Sequence, residues 1–296
     1  MKFKSNLLLL LAAAIWGFAF VAQRVGMNYI GPFTFTGVRF ALGSLSLLPL
    51  ILLYKTDSRS ISDKFNETWR SGLLAGLILF IAVSLQQIGL VYTTAGKAAF
   101  ITCLYIVLVP IAGVFLKQLI TVNVWIGSIL AVVGLYFLCV TENFTISFGD
   151  LLELLGACFW TVHILLIDRF ARKVDTLNLA FFQFITCSIL SLGVALLFET
   201  NTINGILQAA VPILYGGLCS VGIAYTLQIV GQKNASPSHA AIILSMETVF
   251  AAIGGYIILN EILGLRELLG CTLMMAGMLM SQLQSRKLKK NEVLAE

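Results

Sequence analysis

Long apolar runs separated by short polar breaks organise this chain. Ten can be marked: Asn6–Ala22, Phe33–Tyr54, Ser71–Tyr92, Ala98–Leu116, Val122–Val140, Leu151–Ile167, Leu179–Phe198, Ala209–Val230, Ala240–Leu259 and Leu268–Leu283. A helix needs about 20 apolar residues to cross a bilayer core. In lipid its backbone groups must be bonded internally, so each run predicts a spanning helix. The connections are short except Lys55–Arg70, which mixes both signs of charge. No linker is long enough to separate soluble domains. Lys2 and Lys4, an apolar run and then Ala12-Ala13-Ala14 resemble a cleaved leader. The run continues to Ala22 and nine more follow, so a retained first helix is expected.

Composition agrees with that pattern. The 296 residues are 59% hydrophobic and 11% charged, against about 25% charged in an ordinary soluble domain, and mean hydropathy is +0.95. The formal charge of +5 does not point to nucleic acid, because the basic residues sit in loops and tails. With ten spans both termini share one side. On that side lie Lys2, Lys4, Lys55, Arg59, Lys64, Arg70, Lys117, Arg169, Arg172, Lys173, Lys233, Arg286, Lys287, Lys289 and Lys290. The remainder are Arg24, Arg39, Lys97 and Arg266. The positive-inside rule therefore predicts a multi-pass membrane protein with cytoplasmic termini. The six cysteines lie in apolar segments with no CxxC pair, and with two histidines no metal site is expected.

The two halves resemble each other. Trp16 matches Trp160 at an offset of 144, and Arg39-Phe40 matches Gln183-Phe184 at the same offset. Gln87-Ile88 matches Gln228-Ile229 at 141. Gly127, Leu130 and Gly134 match Gly270, Leu273 and Gly277 at 143. Four matches in order at nearly constant offset predict two repeats, 1–145 and 146–296. Each holds five spans, an odd number, so the second must lie upside down relative to the first. Inverted repeats with a solute site between them are a frequent architecture of secondary transporters; channels share it. The glycines of spans 5 and 10, and Gly72 with Gly76, mark close helix packing inside the chain or a dimer face.

The candidate chemistry is sparse. Glu247 stands near the middle of the ninth run, where a carboxylate costs roughly 2.5–3.5 kcal/mol on insertion scales. It is a proton acceptor or cation partner, or a protonated acid bonded inside the bundle. At an offset of 141 its counterpart is Ile106, beside Tyr105. His163, three residues after Trp160 and on the same helix face, is a proton relay or a neutral histidine bonded to a neighbouring helix. Arg39, about 10 Å into span 2 at 1.5 Å per residue, suits a substrate carboxylate or a structural carbonyl. Trp16, Trp160, Gln87, Tyr105, Tyr225 and Gln228 combine aromatic walls with hydrogen-bonding tips, which fits a small-molecule cavity and equally fits helix packing. Lys97 and Asp168 lie at span ends. Lys97 suits the outer mouth, and Asp168 a pairing with Arg169 or Arg172. Glu142, Glu199 and Glu261 read as ordinary loop acids.

The ordered set of pieces resembles the EamA-type, ten-span members of the drug/metabolite transporter superfamily. The pieces are Ala14-Ile15-Trp16-Gly17, Arg39-Phe40-Ala41-Leu42, Tyr92 to Phe100, Leu244 to Ala252, and Leu259-Asn260-Glu261. The resemblance covers nearly the whole chain. It implies a ten-helix basket with a central cavity, in the cell inner (plasma) membrane, and export of a metabolite or amino-acid-like solute, and, being shared across substrates, it weights Arg39 towards structure. One departure is Thr248, where the family usually has proline after the acid. A kink in span 9 is therefore not expected, whereas Pro110 is expected to bend span 4.

The expectation is an all-α integral membrane protein of ten transmembrane helices in two inverted five-helix repeats, exporting a small organic solute by alternating access. Proton-coupled efflux of drugs or cations is the alternative; the resemblance weakens it, since the small four-helix multidrug relatives place their essential glutamate in span 1, which has no acid here, although Glu247 could substitute. A membrane-embedded enzyme would need a polar catalytic cluster, and neither HExxH, Gly-x-Ser-x-Gly nor a phosphate-cradling loop occurs. The expected partners are the solute, the bilayer and, as a candidate, protons. No cofactor is expected, and monomer and homodimer both stay open.

Overall fold

The computed structural model describes residues 2–53, 61–115, 122–139, 146–200, 202–233, 235 and 237–282. Glu142, the loop residues Lys55, Arg59 and Lys117, and the basic tail from Arg286 lie outside them. The elements are α1 (Lys2–Gly26), α2 (Pro32–Leu53), α3 (Ile61–Tyr92), α4 (Ala95–Thr102), α5 (Tyr105–Phe115), α6 (Val122–Cys139), α7 (Phe148–Ala171), α8 (Thr176–Phe198), α9 (Ile203–Gln208) and α10 (Ala210–Leu214). After them come a π-helical stretch (Tyr215–Tyr225), α11 (Thr226–Gln232), α12 (Pro237–Leu244), α13 (Glu247–Leu259) and α14 (Leu265–Gln282). Among the described residues no strand occurs.

By length and composition, seven described helices can cross a membrane: Phe3–Gly26, Pro32–Leu53, Asn66–Tyr92, Ala95–Gly113, Phe148–Ala171, Thr176–Phe198 and Ala210–Gln232. Three of the ten apolar runs give no such helix among the described residues. The ninth run is broken at Ser245–Met246 into two short helices, and α6 and α14 are not among the seven. The outer surface is apolar, with Leu53, Leu196 and Ile203 each about four-fifths exposed. Such a surface suits lipid.

Contacts at helix ends fix the directions. The C-terminal end of α1 meets that of α3, where Arg24 donates to the carbonyls of Leu90 and Val91 at 3.0 and 3.1 Å. The N-terminal end of α7 meets the same place, where Thr93 donates to Asp150 Oδ1 at 2.8 Å. Helices α1 and α7, matching members of the two halves, therefore run in opposite directions. Helix α6 packs antiparallel on α14. A Cβ on Gly134 would fall 2.6 Å from the Gly270 carbonyl, and one on Gly277 2.5 Å from the Gly127 carbonyl. Those glycines join two helices of one chain. Gly72 and Gly76 seat α3 on Phe182 and Thr186 of α8 in the same way.

Two acids at helix ends do more than occupy loops. Glu199, just past α8, accepts from Phe33 N and Thr34 N at 2.8 Å and from Thr34 Oγ1 at 2.5 Å. Glu261 accepts from Ala95 N at 2.9 Å and Gly96 N at 3.2 Å. Each carboxylate from the second half thus caps the N-terminus of a first-half helix, satisfying donors that a helix start leaves open. Asn260, in the left-handed region at φ 54°, turns the chain after α13 so that Glu261 reaches α4.

Candidate functional site

Spans 4 and 9 are both broken in mid-run, and the breaks match bond for bond. In span 4, Leu104 N bonds Ile101 O, Ile106 N bonds Cys103 O and Val107 N bonds Leu104 O. In span 9, Met246 N bonds Ile243 O, Thr248 N bonds Ser245 O and Val249 N bonds Met246 O. All six are tight three-residue turns, and the offset is 142. The repeat counterpart of Glu247 is therefore Tyr105, not Ile106. The break in span 9 forms without proline: Thr248 Oγ1 donates back to Ser245 O at 2.8 Å, a bond that loosens a helical turn. In span 4 the irregular turns precede Pro110 by several residues, so proline does not sit at the break.

The two breaks meet at Glu247. Tyr105 OH donates to Glu247 Oε1 at 3.0 Å, and the Cys103 thiol lies 3.3 Å from the same oxygen. Glu247 also opens the first turn of α13, where the helix dipole favours a negative group. Glu247 is 4% exposed. Among the described residues it has no Lys, Arg or His within ion-pair distance.

Around this point lies about 490 Å³ of open space, mouth included. Of the residues singled out from the sequence, Trp16, Arg39, Tyr105, Trp160, Tyr225, Gln228 and Glu247 line it. Gln87 and His163 stand behind the wall. Gln87 is fully buried, and His163 pairs with Gln183 Oε1 at 3.0 Å through Nε2. Gln86, Gln23, Thr102, Ser220 and Phe20 line the space as well. Neighbouring Gln86 and Gln87 are indistinguishable without the helix phase, and Ser220 enters through a feature no motif announces. Its carbonyl, in the π-helical stretch, accepts from Trp16 Nε1 at 3.2 Å. Trp160 Nε1 donates to Gln86 Oε1 at 2.9 Å. Each repeat's tryptophan is thus held by the third span of the other repeat.

Tyr225 is the hub of the aromatic wall, with ring centroids 4.7 Å from Trp16, 5.7 Å from Phe184, 5.8 Å from Phe40 and 6.2 Å from Trp160. Arg39 lies against the same wall, its guanidinium carbon 5.5 Å from the Phe35 ring and 5.2 Å from Phe40. It is 3% exposed, and no described carboxylate pairs with it. Cation–π contact offsets part of that burial. The space therefore carries one cationic and one acidic side chain, joined by no ion pair, between aromatic faces.

At span ends, Lys97 pairs with Asp150 at 2.8 Å and Asp168 with Arg172 at 2.7 Å. Cys103, Cys158, Cys187, Cys219 and Cys271 are free thiols.

A multi-span helical bundle enclosing a cavity of aromatic faces with a few polar and charged groups is an architecture that membrane transport proteins use. Comparison makes the class specific. The model of the EamA-like transporter family matches the chain twice, over residues 3–140 and 147–283, and the chain belongs to that family. An uncharacterized transporter of Archaeoglobus fulgidus is 32% identical over 95% of this chain and 86% of its own. An uncharacterized transporter of Bacillus subtilis is 24% identical over 90% of this chain and 92% of its own. One crystal structure, 20% identical, superposes with a TM-score of 0.73 over 96% of this chain and 98% of its own, which shows the shared fold.

Proposed function

We propose that this protein is a ten-span secondary transporter of the plasma membrane, with both termini cytoplasmic, that exports a small amino-acid-like solute by alternating access between two inverted repeats. The observation that carries this reading is the pairing of Arg39 and Glu247 on one cavity without a bond between them. A zwitterion offers a carboxylate to the arginine, whose fork suits it, and an ammonium to the acid. The aromatic wall of Trp16, Trp160 and Tyr225 takes an apolar side chain. Gln86, Gln228 and the Ser220 carbonyl add orienting hydrogen-bond groups. The opposed directions of α1 and α7 and the matched breaks support two inverted halves that move against each other. The outward direction follows the resemblance. Efflux of drugs or other cations fits the cavity less well, because Arg39 repels a ligand whose only charge is positive.

The test is counterflow into proteoliposomes with matched solutes: an amino acid, its decarboxylated amine and its deaminated acid. The zwitterion should exchange at least tenfold faster than either singly charged analogue. Equal or faster exchange of the amine would replace this reading with cation efflux.

A further inference from the structure

A second carboxyl group lies inside the bundle, away from Glu247. Glu153 is the sixth residue of α7, and its relative exposure is 0%. Its Oε2 accepts from Thr102 Oγ1 at 3.0 Å, while its Oε1 has no hydrogen-bond partner among the described residues. It fits against α3 only because residue 89 is glycine, where a Cβ would stand 2.8 Å from Oε1. No described cation pairs with it.

Charged or titratable groups of α1, α4, α5, α7 and α13 have partners of their own. One turn earlier on α7, Asp150 is neutralised by Lys97 of α4 and bonded by Thr93. From α1, Arg24 is occupied by the Leu90 and Val91 carbonyls at the end of α3. Tyr105 of α5 and Glu247 of α13 belong to the cavity side. Thr102 links the two regions: it bonds Glu153 on one side and lines the cavity on the other, next to Cys103, which touches Glu247. Lys97 retains partial exposure at the end where α3, α4 and α7 meet, so the polar line runs from that surface through Asp150, Glu153 and Thr102 to the cavity.

An ionised carboxylate without a counter-charge is costly in this interior. One hydrogen-bond donor and one free oxygen do not make a coordination sphere for a metal cation, which needs several converging oxygens. A proton needs only the free oxygen. We propose that Glu153 is a proton-binding site of the transport cycle, reached from the Lys97–Asp150 end and sensed in the cavity through Thr102. The step is the carboxylate taking up one proton to become the neutral acid, and releasing it again, with no other bond made or broken. The role in a cycle rests on the transporter reading above; the binding of the proton does not.

The experiment therefore has two arms. The first is a pH-difference infrared spectrum of the purified protein in liposomes. A protonated-carboxyl band should disappear in Glu153→Gln, persist in Glu247→Gln, and shift without disappearing in Thr102→Val, which removes the hydrogen bond. The second is net efflux against external pH, whose dependence should flatten at least fivefold in Glu153→Gln. A spectrum unchanged by Glu153→Gln overturns the proposal, as does a band displaced by added sodium at fixed pH. If Glu153→Gln does not fold, Thr102→Val still decides: an unshifted band overturns the assignment. Wild-type protein that carries no solute but shows the Glu153 band contradicts the transport reading and leaves the proton site standing.

Discussion

Removing the Glu199 carboxylate should loosen the junction between the two halves by a predictable amount. It accepts three hydrogen bonds from the first turn of α2. Bonds to a charged acceptor contribute roughly 1.5–3 kcal/mol each when fully buried, but Glu199 is half-buried and water can replace part of the set. Counting about 1 kcal/mol for each, Glu199→Ala should cost about 2–3 kcal/mol. Gly31 supplies an independent check. An added Cβ there would sit 2.3 Å from the Glu199 carboxyl carbon, and the glycine's φ is not in the left-handed region. Gly31→Ala should therefore displace the carboxylate without straining the backbone and cost about the same. Since both remove one interaction, the double variant should lose little more than either single. Mixed-micelle denaturation followed by tryptophan fluorescence reads all three. A wild-type-like Gly31→Ala, or a double variant with fully additive losses, would show that the Glu199 carboxylate does not hold this junction.

Lys97→Met should destabilise by about 3–5 kcal/mol, because it strands Asp150 as a buried charge; Lys97→Met with Asp150→Asn should recover at least half, measured in the same titration. Asn260→Gly should be neutral within about 0.5 kcal/mol, and Asn260→Val should cost about 1–2 kcal/mol, because a β-branched residue resists the left-handed conformation. Trp160→Phe should keep the ring packing but lose the bond to Gln86, lowering stability by about 1 kcal/mol and raising the KM of counterflow. Gly277→Leu should prevent the α6–α14 contact, costing more than about 3 kcal/mol, read as loss of a monodisperse detergent-solubilised species.

Much of this architecture is written in patterns that survive without coordinates. Apolar length gives the helices, and Trp16 with Trp160 gives the repeat. Seven of nine residues chosen for depth and chemical type face the cavity, since a polar or aromatic group deep in an apolar run has few other places to go. What stayed hidden depends on phase or on distant partners. Gln86 faces the cavity and Gln87 does not, a difference of one residue that a run apolar on all sides does not reveal. Glu199 and Glu261 resemble loop acids because their partners lie more than 160 residues away in the chain. The break in span 9 lacks the proline that would announce it; a hydroxyl at Thr248 takes that place. Glu153 lies near the start of its run, where depth in the bundle cannot be judged from sequence.

In the proposed function, Glu247 and Arg39 together hold a solute that crosses the membrane. The most direct measurement is counterflow and net efflux of an amino-acid panel in proteoliposomes, with and without a pH gradient, for wild type, Glu247→Gln and Arg39→Gln. Wild type should exchange the zwitterion, and Arg39→Gln and Glu247→Gln should each lose at least tenfold in affinity for it. Wild-type kinetics for the same zwitterion in both variants would contradict the proposed function.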